Sequence, residues 1–322
     1  MNLSNPVGGY FELENFRKNQ NFHPNSIELN TGRNALEYII ISRKIKKIYI
    51  PFYTCEVILE PLIRNKVEYE FYGIDRNMEL LINPADKTDG FVLYTNYFGL
   101  KTEYIENNLK LFPNIIYDFS QAFFSKSVKD APTFYSCRKF FGVPDGAYLF
   151  DSDSNKLNME EDISYQRFSH LLKRIDLGAE NGYPDFKEND QSLSEQPIKK
   201  MSRLTRYLMS QIDYNFVSAR RKANYQIIHN LLGKFNELPD IFPENAVPMV
   251  YPFLLNSQSL HQKLIENKIY VAKYWPNVLK LTSEYSMEYN YADKIIPLPI
   301  DQRYNAEDMK ILAEKVIELG KL

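Results

Sequence analysis

Three short stretches carry residue types that can do chemistry. In "TFYSCRKFFGVPDGAYLF" (residues 133–150), Lys139 stands among Tyr135, Phe140 and Phe141, and a turn-forming GVPDG follows. An amine in partly desolvated surroundings holds its proton less tightly and becomes a nucleophile. In "IIYDFSQAF" (115–123), Asp118 closes an apolar run, with Gln121 three residues on. An acid there caps a following helix or serves as a buried counter-ion for a cationic ligand. In "TGRNAL" (31–36), a glycine follows good N-cap residues. A helix starting there offers N–H groups and a favourable dipole to an anion such as phosphate, and Arg33 would add a bidentate donor. Each stretch alone has a plainer reading: an ordinary N-cap with a solvent-facing arginine, a capping aspartate, a lysine snorkelling from a strand edge. Together, in the order phosphate cradle, acid, lysine, they are the set that a pyridoxal phosphate site needs. The lysine forms a Schiff base with the aldehyde, the acid pairs with the pyridine nitrogen, and the helix N-terminus holds the phosphate.

Such residues must be brought together by strand ends, because ligands of α/β sheets gather outside the carboxyl ends of the strands. The first half of the chain reads that way. "NTGRNALEYIIISRK" starts on N-cap residues and turns apolar at helical spacing. "KKIYIPFYT", "VEYEFYGID", "DGFVLYTNYFG" and "NIIYDFSQAF" are strand-like runs. "CEVILEPLIRNK" and "EYIENNLKLF" between them are helical in pattern. This alternation predicts βαβ units and a mainly parallel sheet flanked by helices. After about residue 150 the pattern changes. Residues 151–178 read as helical, and 180–200 as a polar surface loop or crossover. "IKKMSRLTRYLMSQIDYNFVSARRKANYQIIHNLLGKF" reads as one long helical stretch. From about 245 the chain reads as a small α+β unit, with strands at "MVYPFLL", "IYVAKYWP" and "KIIPLPI" and helices at "SLHQKLIENK" and "NAEDMKILAEKVIEL". The expected division is a large domain over 1–205, with an N-terminal arm, and a small α+β domain over 206–322.

Composition excludes several function classes. The chain has 322 residues, a formal net charge of −2 and 25% charged residues. No basic excess points to a nucleic-acid surface. Cys55 and Cys137 are the two cysteines, too few for a disulfide framework and suited to a reducing cytoplasm. The N-terminus lacks the basic and apolar regions of a signal peptide, and no apolar run is long enough to span a membrane. His23, His170, His229 and His261 are far apart, without zinc-type spacing.

On these residues the chain resembles the DegT/DnrJ/EryC1/StrS sugar aminotransferases, fold-type I pyridoxal phosphate enzymes, over nearly its whole length and as a divergent member. Thr31, Gly32, Arg33 and Asn34 match the N-terminal stretch of that family, and "PFYTC" (51–55) matches its proline-x-x-threonine strand end. Asp118 and Gln121 match its acid-x-x-glutamine element. Lys139 and Gly146 match its lysine and following turn, and "IIPLPIDQRYNAEDMKILAEKVI" its C-terminal strand and helix. The departures are specific. Arg33 stands where the family has a phosphate-binding serine or threonine. Cys55 stands where an aromatic ring usually covers the cofactor, with Tyr53 nearby. Phe134 stands where a serine precedes the lysine by five residues, leaving Ser136 as the substitute hydroxyl. Asn215 is the candidate for the asparagine that the neighbouring subunit lends.

The resemblance implies transamination. Lys139 and Asp118 would be catalytic, and Gly32, Arg33, Cys55, Asp118, Gln121, Ser136 and Lys139 would bind pyridoxal 5'-phosphate. An amino acid, glutamate by analogy, would donate, and a nucleotide-linked keto-sugar would accept, in the service of surface glycan synthesis. Relatives that carry histidine in place of the lysine are dehydratases, and Lys139 sets this chain apart from them. A cytoplasmic homodimer is implied, with its partners small molecules rather than nucleic acid or membrane. Two other classes stay open: a pyridoxal phosphate enzyme with a non-sugar carbonyl acceptor, and a non-catalytic relative that kept the fold.

Overall fold

The structure is a computed structural model, and it describes residues 13–14, 21–152, 156–239, 246–257 and 259–322. The expected N-terminal arm falls largely outside these residues. The first part alternates as the sequence pattern requires: β1 (Ile27–Leu29), α1 (Gly32–Arg43), β2 (Lys47–Pro51), α2 (Leu59–Arg64), β3 (Glu68–Tyr72) and β4 (Phe91–Thr95). There follow α3 (Thr102–Tyr104), prolonged by a π turn over Ile105–Leu109, then β5 (Ile115–Asp118), β6 (Thr133–Ser136) and β7 (Ala147–Phe150). These strands make one seven-stranded sheet in the order β1-β7-β6-β5-β4-β2-β3. The pairs β2–β3, β2–β4, β4–β5 and β5–β6 are parallel. Only the β7 pairings, with β1 and β6, are antiparallel.

The central strands β2, β4 and β5 are buried on both faces, which is why they read as apolar runs, whereas the edge strand β3 is largely exposed. Successive side chains alternate between two apolar layers. Leu93, Ile116, Phe134 and Leu149 join α1 and α2 on one side. Val92, Tyr94, Ile115, Tyr117, Tyr135 and Tyr148 join the C-terminal elements on the other.

The second part contains α4 (Ser169–Asp176), α5 (Ala179–Ser192), α6 (Arg203–Ser210), α7 (Tyr214–Leu232) and β8 (Tyr251–Leu254). It continues with α8 (Leu260–Glu266), α9 (Val278–Leu281), α10 (Met287–Lys294), β9 (Ile295–Leu298) and α11 (Ala306–Gly320). β8 and β9 pair antiparallel as a separate two-stranded sheet. α11 packs on α7 and starts at a capping box between Asn305 and Asp308.

Several expectations are corrected here. Residues 179–192 are not a loop but α5, which forms a hairpin with α4. The long helix expected over 198–235 is broken between Ser210 and Tyr214, where Asp213 caps a new start. The strand expected at "IYVAKYWP" is irregular chain. Of the helical reading over 151–178, only a short 3₁₀ turn (Tyr165–Arg167) and α4 are helical among the described residues.

Candidate functional site

The carboxyl ends of β4, β5 and β6 bring the expected acid and lysine to one edge of the sheet. Thr95 pairs with Asp118, and Asp118 with Phe134, across adjacent parallel strands. Asp118 is 7% exposed. Its Oδ1 accepts the Ser120 amide at 2.8 Å. Burial pushes the carboxyl above its ordinary value, opposed by the Ser120 hydrogen bonds and the charge of Lys139. Gln121 is buried on the same turn. Its Oε1 accepts the Phe98 amide at 2.7 Å, whereas its Nε2 has no partner among the described residues. A buried donor left unpaired is costly, so this atom marks a place for an acceptor.

The N-terminus of α1 meets that turn. A Cβ added to Gly32 would lie 3.4 Å from the Ser120 Oγ. Thr31 is the N-cap and accepts the Asn34 amide at 3.1 Å. Arg33 does not stand free for an anion: its Nη1 is 2.5 Å from Glu60 Oε2 and 3.3 Å from Ser194 Oγ. Its charge nonetheless reaches Cys55 and Arg138. Cys55 follows β2, and burial raises its thiol pKa, against the nearby charges of Lys139 and Arg33. Ser136 ends β6, paired with Ala147. Asn215 is exposed in the first turn of α7.

Lys139 departs from the expectation of a lysine among apolar neighbours. It is exposed, on a turn in which the Phe140 and Phe141 amides both bond to the Cys137 carbonyl. The two phenylalanines that follow it are buried, while its own side chain is exposed, with its amine 5.4 Å from the centroid of the Tyr274 ring and its charge felt at Asp118 and Cys55. The turn itself is firmly pinned. Asp145, fully buried, accepts the Ser202 amide at 3.0 Å, the Ser202 hydroxyl at 2.9 Å and the Thr205 hydroxyl. Gly146 has φ +114° and donates its N–H to the Asn30 carbonyl at 2.6 Å. A Cβ there would be strained by φ and would sit 2.9 Å from Thr205 Cγ2. Arg138, adjacent to Lys139, turns to α5 and binds Asp190 at 3.0 Å.

The site therefore gathers Gly32, Cys55, Asp118, Gln121 and Lys139 around one strand edge, with Arg33 already engaged by Glu60. The residues that sequence reasoning missed are Asp145, Tyr274, Arg221 and Gln302, the last two of which bond to the carbonyl of Phe140. Asp145 had a local signal, an acid inside a turn. The others come from 82 to 163 positions away and had none. A cavity of about 300 Å³ is lined in part by Phe98, whose amide bonds to Gln121, but neither Asp118 nor Lys139 lines it. Among the described residues no group of three or more His, Cys, Asp or Glu could hold a metal ion, and no helix is long and apolar enough to cross a membrane.

No protein-family model and no curated protein matches the sequence. Solved structures do match in three dimensions. Spr1654 of Streptococcus pneumoniae, a sugar aminotransferase by its description, in its PMP form, superposes with a TM-score of 0.65 at 14% identity, over 94% of this chain and 89% of its own. A DegT DnrJ EryC1 StrS aminotransferase from Brucella abortus gives a TM-score of 0.59 at 13% identity, over 91% and 85%. NtdA from Bacillus subtilis, with bound cofactor PMP, gives 0.61 at 13% identity, over 92% and 73%. At this level of identity the likeness is one of architecture, and by that measure the chain has the fold of the DegT/DnrJ/EryC1/StrS aminotransferases.

Proposed function

We propose that this chain is a pyridoxal phosphate-dependent aminotransferase that passes an amino group from an amino acid, glutamate, to a keto-sugar carried on a nucleotide. The observation that carries the reading is the meeting of a buried acid, an unpartnered buried amide donor and a lysine at one sheet edge, in a fold shared with aminotransferases. These residues fit the cofactor. Asp118 would supply an anion for the pyridine nitrogen, Gln121 Nε2 a hydrogen-bond donor, and the start of α1 at Gly32 a cradle for the phosphate. When bound, pyridoxal phosphate supplies an aldehyde for an amine and a ring that accepts electrons.

The chain's own groups do the rest. Lys139 would hold the cofactor through its amine, and the same amine would serve as general base and acid for the proton at the donor α-carbon. Asp118 keeps its negative charge once a cationic partner faces it, reversing the effect of burial. Cys55 and Ser136 line the site, and Arg33 contributes its charge while Glu60 fixes its position. We divide the chain into a large domain over 1–205 and a small one over 206–322. The enzyme works in the cytoplasm as a homodimer, and its product feeds surface glycan synthesis.

The test is direct. Purified protein mixed with pyridoxal phosphate should gain a visible absorption band that borohydride removes, leaving the label on Lys139 by mass spectrometry. Protein that stays colourless, or carries the label elsewhere, overturns the reading. A panel of nucleotide keto-sugars and simpler carbonyl compounds with glutamate then decides the acceptor.

A further inference from the structure

Lys139 raises a problem of placement. It is exposed, so no packing fixes its side chain, yet a proton-transferring amine must be held in a narrow range of positions. The structure holds it from both ends, and both holds come from beyond residue 220. The carbonyl of Phe140, the next residue, accepts Gln302 Nε2 at 2.9 Å and Arg221 Nη2 at 3.4 Å. Arg221 is 2% exposed, lies 4.6 Å from the Phe140 ring centroid and donates its Nε to Gln302 Oε1 at 3.1 Å. Its Nη1 bonds to the Met249 carbonyl at 2.8 Å. Gln302 is thus oriented by the group beside it, and a buried guanidinium is committed to one geometry.

At the other end, the Tyr274 ring faces the Lys139 ammonium. Its segment is tied to the large sheet. The Trp275 ring lies 5.0 Å from that of Tyr53, and Asn277 Nδ2 donates to the Thr54 carbonyl at 3.0 Å. That carbonyl immediately precedes Cys55.

We infer that Gln302 and Tyr274 are positioning residues for Lys139: Gln302 fixes the turn that carries it, and Tyr274 holds its ammonium form over the site. The role in turnover rests on the aminotransferase reading, but the hold on the amine does not. The ring face attracts the charged amine and not the neutral one. Replacing Tyr274 by a side chain without a ring therefore frees the amine to move and react.

The experiment follows acetylation of Lys139 by acetic anhydride in the cofactor-free full chain, with mass spectrometry, at pH 8. Tyr274→Leu, which loses the ring face, should raise the rate about two- to fivefold, from the usual strength of an exposed cation–π contact. Tyr274→Phe, which keeps the ring, should leave it unchanged. An unchanged rate in Tyr274→Leu, or an equal rise in Tyr274→Phe, overturns the hold. In the cofactor-loaded enzyme, Gln302→Glu keeps the acceptor for Arg221 and loses the donor to Phe140. It should lower kcat about tenfold with the donor KM unaltered, as expected when only the transition-state geometry is disturbed. An equal rise in KM with kcat kept overturns the positioning role. If the wild type never takes up pyridoxal phosphate, the aminotransferase reading and the role in turnover fall together, while the acetylation rates still decide the hold.

Discussion

Asp118 is under two opposed influences. Burial favours its neutral form, while the Ser120 hydrogen bonds and the Lys139 charge favour the anion. A cationic ring nitrogen in the site would settle the contest for the anion. Asp118→Asn keeps the shape and removes that charge. We expect kcat to fall by about 100- to 1000-fold, the usual loss when one preorganised electrostatic partner of a transition state is removed. The cofactor should still attach to Lys139, as read from borohydride labelling. A variant with near-normal kcat would remove Asp118 from the mechanism. The acid, the glutamine and the lysine were legible in the sequence because each ends or follows a strand, and strand ends announce themselves locally. The exposure of Lys139 was not legible. Its neighbours Phe140 and Phe141 are buried, and a turn sends adjacent side chains in opposite directions without any mark in the composition. The partners of Arg33 and Arg138, Glu60 and Asp190, lie 27 and 52 positions away. No spacing rule reaches that far.

Among the elements, β2, β3, β4 and β5 together with α1 and α11 were readable from periodicity and caps, while α5 was not. Its sequence, AENGYPDFKENDQS, is polar and holds both glycine and proline, which speak for a loop by propensity. The helix exists because it packs on α4, and tertiary packing overrides propensity. Gly182 is what permits the approach: a Cβ there would lie 2.9 Å from the His170 carbonyl oxygen and 3.3 Å from the Arg174 amide nitrogen. Both are backbone atoms and cannot swing aside. Gly182→Ala, a better helix former in isolation, should therefore destabilise the protein, by about 1–3 kcal/mol as for other overpacked contacts. Urea unfolding measures it, and a stabilised variant would show that the hairpin has room. Because Asn189 donates to the Pro144 carbonyl at 3.0 Å and Arg138 binds Asp190, the same change should also loosen the turn that carries Lys139. Faster amide hydrogen exchange over residues 137–146 would report that.

Over the whole molecule, the parallel sheet followed the strand–helix alternation, but the way the distant parts lock together did not appear in it. His23 is such a lock. It is 5% exposed, and its ring lies tilted with its centroid 4.1 Å from that of Tyr135 and the Phe123 carbonyl 2.9 Å from its Nε2. Its neighbour Phe22 lies 5.1 Å from the Tyr214 ring at the start of α7. The pair therefore joins the chain before β1, the sheet and the helix layer. In the sequence it looked like one of four isolated histidines. Burial lowers its pKa to about 4 from the ordinary 6.5, against the raising effect of the Phe123 hydrogen bond. The unfolded chain thus binds a proton at His23 at a pH where the folded chain does not. The stability held by the neutral ring is complete above pH 6.5, declines as pH falls from 6.5 toward 4, and does not change further below that. A difference of this size corresponds to about 3 kcal/mol. His23→Leu should lower stability at pH 7.5, since the Phe123 carbonyl loses its donor, and should flatten the decline between pH 6.5 and 4. Urea titrations of both proteins across that range measure the two slopes. Parallel slopes would mean that the acid sensitivity arises elsewhere and that His23 is reached by solvent protons in the native state.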